Sequence, residues 1–225
     1  MKHPASSARP GMPAGRAWDS ARLQNFTDAV TAVIITIMAL ELRVPAGTAL
    51  ADLRQRLPAL LIYALSFTTV GMAWNHHHSL FRISERISPA VMWANLASLF
   101  WLSLIPLVTE WLGLHYHARL PASAYGLIAL AATGAHAVLV RTVAAANGRS
   151  SAVSAAAGRD AKSIATVCLY GLGASLAWIS PWIAYVLYGC VAVVWIAPDR
   201  RFSRADGHAE DTRTGEPAHN PPAAQ

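Results

Sequence analysis

The chain has 225 residues, 54% of them hydrophobic, a mean hydropathy of +0.35 and only 13% Asp, Glu, Lys and Arg, about half the charged share of a soluble globular domain. The charges are also segregated: the intervals Arg56–Arg82, Arg86–Glu110, Arg119–Arg141 and Lys162–Asp199 enclose 25, 23, 21 and 36 uncharged or apolar positions. Since about 20 apolar residues carry a helix across a bilayer, a water-soluble fold and an intrinsically disordered chain are both excluded, and the chain reads as an all-α, multi-pass membrane protein.

Residues 1–21 carry Lys2, Arg9 and Arg16 among Pro, Ala, Ser and Gly. They lack the apolar core of about 7–15 residues that marks a cleaved signal peptide, so a disordered tail is expected there. The first helix is expected from near Arg22 to just before Pro45. Its uncharged run, Ala29 to Leu40, is only 12 residues long. Counting the polar ends, the segment still reaches about 33 Å at 1.5 Å per residue. Such a helix spans only if Asp28, Glu41 and Arg43 face protein or water. The second helix is expected from Pro58 to Trp74, with proline in the first turn. The third is expected from Pro89 to Leu112 and the fourth from Ala122 to Val140.

The 36-residue interval is too long for one helix, which would measure roughly 54 Å. Ser180-Pro181 divides it, because the residue before proline leaves the α region and proline suits the next first turn. A fifth helix over Ala161–Ile179 and a sixth over Pro181–Ala197 follow. Six transmembrane helices then occupy a domain over 22–200, and residues 201–225 form a second polar tail. With six spans, 14 of the 18 Lys and Arg residues fall on the side of the two termini, which makes both termini cytoplasmic. The net charge of +6 is thereby explained by topology, and no nucleic-acid partner is called for. Trp101, Trp111, Trp178, Trp182 and Trp195 fall near expected span ends or turns, as an interfacial belt requires. Cys168 and Cys190 lie in apolar stretches, too few for a disulfide or zinc scaffold.

Within the first helix, Arg22 and Asp28 are six residues apart, about 240° around the helical wheel, so each needs a partner from another helix. Val33, Thr36 (with Ile37) and Leu40 recur at helical spacing and share one stripe, which periodicity alone assigns to the bundle core. Ala29, Ala32 and Ala39 permit close helix approach. His76-His77-His78 cannot converge on a metal as an i, i+4 pair can. At least one imidazole is expected as a buried hydrogen-bond partner, and His115, His117 and His136 are expected to be structural. Asn95 is expected to make an interhelical hydrogen bond, and Pro106 and Thr109 are further kink-forming or polar features. No phosphate loop, HExxH motif, nucleophile elbow or intramembrane carboxylate pair occurs, so no enzyme, metal or cofactor is expected.

Arg22-x-x-x-Phe26-Thr27-Asp28, followed by a Thr36-centred apolar helix that ends in Pro45, resembles the RxxxFSD signature of the transmembrane protein 175 potassium channels. Ser66-Phe67, Gly71, Trp74, His76-His77-His78 and Phe81, then Asn95 and Leu104-x-Pro106-Leu107-Val108-Thr109, are similar to that family, as are Ile179-Ser180-Pro181-Trp182 and Ile196-Ala197-Pro198-Asp199-Arg200. The resemblance covers about residues 20–200, with threonine at 27 in place of the family serine. It implies a potassium-permeable channel of the cell membrane, a homotetramer with the first helix of each subunit around a central pore, K⁺ as the permeant ion and no cofactor. Animal members carry two such repeats in one chain, and prokaryotic members one. Val33, Thr36 and Leu40 match the family's pore-lining positions, with a hydrophobic constriction in place of a carbonyl filter. Arg22, Phe26, Thr27 and Asp28 match the signature that holds the first helix against the second and third, with Trp74, His77 and Asn95 as its expected partners. The alternatives are a proton-coupled or secondary transporter using Asp28 and a histidine, and a non-conducting structural subunit. Against a carrier, the second half has no counterpart of the Arg22–Asp28 segment, whereas carriers are commonly built from repeat halves.

Overall fold

The computed structural model describes residues 14–84, 86–148 and 161–196. Its helices are α1 (Ala14–Leu40), α2 (Leu50–Arg82), α3 (Pro89–Ser103), α4 (Ile105–Leu114), α5 (Arg119–Asn147), α6 (Ala161–Leu176) and α7 (Pro181–Ile196). There is no strand among the described residues. The expected tail boundary at residue 21 falls inside α1, which begins at Ala14; residues 1–13 and the 201–225 tail lie outside the described residues. Among the described residues these make six helical segments, because α3 and α4 together form one 26-residue apolar segment, Pro89–Leu114.

Four of these segments are long and apolar enough to cross a membrane. α6 and α7, at 16 residues each, reach only about 24 Å. They are joined as expected at Ser180-Pro181, where the amides of Ile179 and Ser180 close on the Leu176 carbonyl at 2.9 and 3.0 Å.

The largest departure from expectation is α2. It begins at Leu50, where the Ala49 amide donates to the Asp52 carboxylate at 3.1 Å. Pro58 therefore sits inside the helix and not at its start, where it deprives the Arg54 carbonyl of its partner. Leu50–Leu57 contains Asp52, Arg54 and Arg56 among Leu, Ala and Gln, all residues a helix tolerates but an apolar window rejects. At the other end Trp74, the three histidines and Phe81 lie inside α2, and not between helices two and three. The helix ends at Arg82 with Ile83 as its C-cap, and just beyond it the Ser84 hydroxyl donates back to the Leu80 carbonyl at 2.7 Å.

The third span is broken where one helix was expected. Pro106 has no amide to give the Leu102 carbonyl, and the Leu104 amide turns instead to the Trp101 carbonyl at 3.3 Å. Trp101 thus lies midway along a span, partly buried against the core, and is not an interfacial residue. α5 outruns its expected bounds at both ends and stops at Gly148, whose φ of +90° only glycine adopts without strain.

α5 packs against α3, α4, α6 and α7, and α1 packs on α2, α3 and α4. The core is apolar with a hydroxyl seam. Thr109 donates to Ser66 at 2.8 Å, Ser66 to the Tyr125 hydroxyl at 3.3 Å, and Tyr188 to the Ala122 carbonyl at 2.9 Å. In hydrocarbon no water is available for these groups, so they must find each other. Tyr125 and Tyr170 flank the fully buried Tyr188, with ring centroids 5.3 and 5.7 Å away. Gly126 and Gly173 make room for it, since a Cβ on either would meet the Tyr188 ring or hydroxyl. The outer surface carries Trp93, Phe100, Ile164, Leu172, Val186 and Val193, each exposed, as suits a surface whose solvent is lipid.

Gly126→Leu should drive a side chain into Tyr188 and cost about 1–3 kcal/mol of overpacking. A lowered unfolding midpoint of the detergent-solubilised protein checks this, with Gly134→Leu, where a Cβ meets open space, as the tolerated control.

Candidate functional site on the first helix

α1 has two unlike faces. Leu23, Thr27, Thr31, Ile34 and Met38, three or four residues apart, are buried against the other helices. On the other side Phe26, Val33, Thr36, Ile37 and Leu40 form a stripe that no part of the described chain covers. Val33 is 54% and Leu40 84% exposed. The periodicity that united Val33, Thr36 and Leu40 was therefore real, but the stripe lies outside the subunit's core. Ile35, off the stripe, packs against that core. Beside the stripe runs a groove of about 470 Å³ between α1 and the α3–α4 break, lined among others by Phe26, Val33, Ile37, Glu41, Pro106 and Leu107. The Thr36 hydroxyl donates to the Val33 carbonyl at 2.8 Å, which leaves its oxygen lone pairs turned toward whatever occupies that side.

The buried face is tied down by side-chain hydrogen bonds from adjacent residues that point to different helices. Thr27 receives the Asn95 amide of α3 at 2.9 Å and donates to the Leu23 carbonyl at 3.0 Å. Asp28, about 100° further round, accepts the Trp74 indole N–H of α2 at 2.8 Å. One turn below, the Gln24 side-chain amide donates to His78 Nδ1 at 2.9 Å. The threonine hydroxyl makes both of these bonds, and its methyl is packed away with it, since the residue is 1% exposed.

Of the sequence-predicted residues, Thr27, Asp28, Trp74 and Asn95 are thus joined. His77 is buried one turn from Trp74, its Nδ1–H given to the Ala73 carbonyl at 2.8 Å. Its Nε2 is buried without a partner among the described residues, and its ring lies edge-on to His136 of α5 at 4.7 Å. Arg22 and Phe26 do not join the network. Arg22 is exposed with no ion pair among the described residues, and Phe26, 47% exposed, lines the groove. The sequence marks His78 only as one of the His76–His78 run and does not single out Gln24, although i, i+4 spacing from Asp28 and Trp74 places the two one turn away on the same faces. Glu41, just past α1 and expected to face protein or water, borders the groove. Among the described residues no group of three His, Cys, Asp or Glu side chains can hold a metal ion.

Residues 22–106 match the family model described as endosomal/lysosomal potassium channel TMEM175. The chain is 39% identical over 184 residues, 82% of its length and 96% of the relative's, to a protein of Chryseobacterium sp. named potassium channel. It is 29% identical to one so named from Streptomyces collinus, over 50% of this chain and 59% of that one. The human endosomal/lysosomal proton channel TMEM175 matches at 33% identity over 40% of this chain and 20% of its own. The fold superposes with a TM-score of 0.70 on the crystal structure of a lysosomal potassium-selective channel TMEM175 homolog from Chamaesiphon minutus, at 24% identity, covering 79% of this chain and 96% of that one.

The Thr27–Asn95 bond should show a coupling of about 0.6–1.7 kcal/mol, the range of interhelical hydrogen bonds in membranes, in an unfolding double-mutant cycle with Thr27→Val and Asn95→Leu. Asp28→Asn, which keeps an acceptor for the Trp74 indole, should preserve more folded protein than Asp28→Leu in size-exclusion yield.

Proposed function

The chain belongs to the TMEM175 family, and from that premise we propose that it is a potassium-permeable channel of the cell membrane, a homotetramer whose four α1 helices surround the conduction path. The observation that carries this reading is the bare stripe of α1: a row of apolar side chains with a single hydroxyl at Thr36, left uncovered by its own subunit. Four copies arranged about an axis give that stripe a common lumen. Potassium as the permeant ion is carried over from the similar proteins named potassium channels.

In this assembly Val33 and Leu40 form apolar rings. A narrow apolar ring excludes a hydrated ion by dewetting, and a small rotation of α1 widens it. Thr36 lies one turn beyond Val33. Because its proton is engaged by the Val33 carbonyl, its oxygen is oriented as an acceptor, as a partly dehydrated K⁺ needs. The Thr27–Asn95 and Asp28–Trp74 bonds act as positioning contacts, holding the opposite face of α1 to α3 and α2. Both termini are cytoplasmic, because that side then holds 14 of the 18 Lys and Arg residues. Conduction needs no cofactor and no catalytic residue.

Flux from reconstituted liposomes tests the function directly. A K⁺ gradient should collapse electrogenically without a coupled ion; saturating, coupled flux would identify a carrier, and no flux a structural subunit. Thr36→Ala should lower the K⁺ over Na⁺ preference in bi-ionic reversal potentials without loss of the tetramer. Val33→Asn should raise leak by easing hydration of the constriction. Cysteine at position 33 should be blocked by a small cationic thiol reagent, and cysteine at the core-packed position 35 should not. Equal protection of both would leave the stripe facing lipid or protein and remove the pore assignment.

A further inference from the structure

Glu41 occupies a junction. It follows Leu40 directly, its amide still bonded to the Ile37 carbonyl at 3.1 Å, so the carboxylate stands at the C-terminal end of α1, where the helix carbonyls add negative potential. It borders two spaces at once. One is the groove beside the α1 stripe. The other is a small cavity of about 50 Å³ that it shares with Arg43, Arg56, Tyr63 and Glu110. The cations of this cavity are not spent on it. Arg43 is drawn to Glu110 at 3.5 Å, and Arg56 makes no ion pair among the described residues. One Glu41 oxygen, Oε2, is buried with no hydrogen-bond partner among the described residues. A partly dehydrated carboxylate without a countercharge is costly, and a mobile cation in the groove supplies that charge.

We infer that Glu41 is a charge-determining residue of the conduction path, whose carboxylates ring the outer mouth beyond Leu40 and concentrate monovalent cations there. The inference rests on the pore reading above and adds to it the residue that gathers ions at the entrance, distinct from the Thr36 layer. Burial first, and then the neighbouring Glu110 carboxylate, raise the Glu41 carboxyl above the usual carboxylate range. A raised acid is charged only above its raised value. The mouth therefore loses its charge on acidification at a higher pH than an ordinary surface carboxylate, with Arg43, Arg56, Tyr63 and Glu110 as the charged and titratable groups around it.

Single-channel conductance of the reconstituted full-length protein tests this. Glu41→Gln should lower K⁺ conductance about two-fold or more in dilute KCl and little in about 1 M KCl, where the Debye length is about 3 Å. It should leave the K⁺ over Na⁺ reversal potential unchanged and remove the conductance loss on acidifying the outer side. Glu41→Cys, labelled after assembly, should gain conductance with an anionic thiol reagent and lose it with a cationic one. Equal responses to the two reagents, or a Glu41→Gln conductance equal to wild type at low salt, overturn the inference. If cysteine at 33 is still blocked, the pore reading survives that failure; if 33 and 41 are both inaccessible, both fall. Failure of Glu41→Gln and Glu41→Cys to assemble, where Glu41→Asp assembles, would assign Glu41 a structural role and likewise overturn it.

Discussion

A helix in hydrocarbon must find partners for every polar side chain it carries, and α1 finds its partners on one side only. Thr27 and Asp28 are neighbours in sequence and about 100° apart on the helix. One is bonded to Asn95 of α3 and the other to Trp74 of α2. Two hydrogen bonds in different directions define both the position of α1 and its rotation. That rotation turns Val33, Thr36, Ile37 and Leu40 away from the subunit. Rotate α1 by half a turn and Thr27 and Asp28 would both lose those partners, the buried Thr27 hydroxyl and Asn95 amide being left unsatisfied where no water reaches them.

The rest of the bundle provides what α1 leans on. α5 is the central element, in contact with α3, α4, α6 and α7. The Tyr188 and Ser66–Thr109 hydroxyls join α2, α4, α5 and α7 within an apolar core. The α3–α4 break at Leu104 lies where α1 passes, and its residues Ser103, Pro106 and Leu107 form the far wall of the groove beside the stripe. A proline that breaks one ladder thus shapes the space next to the helix that carries the candidate site.

Seen along α1, the chemistry changes from one end to the other. The first half is tied to its neighbours by polar side chains. The second half presents an apolar row interrupted by one hydroxyl, and the helix ends on a carboxylate whose nearby arginine is paired elsewhere. The anchoring bonds, the uncovered apolar row and the carboxylate are separated along one segment, so each can be altered with little disturbance to the others. The Arg22 guanidinium is exposed and has no ion pair within the described chain, and the same polar end of the helix is free to meet headgroups or a second subunit.

The amino-acid sequence determined by itself the membrane-spanning class, the six spans, the Ser180-Pro181 turn and the common stripe of Val33, Thr36 and Leu40. Each of these follows from charge exclusion over a fixed bilayer thickness, from the geometry of proline or from the 3.6-residue period. It also pointed to Asn95 as an interhelical bond, because an amide in hydrocarbon has no other outlet. Tertiary structure alone decided the rest. Helix ends outran the apolar windows because charged residues such as Asp52 and Arg56 continue a helix as well as leucine does. Whether the α1 stripe faced core or open space could not be read from its period, since buried and uncovered faces repeat alike. The partners of Thr27, Asp28 and Gln24 lie 46 to 68 residues away along the chain, and only the packing of α1 on α2 and α3 brings them within 3 Å.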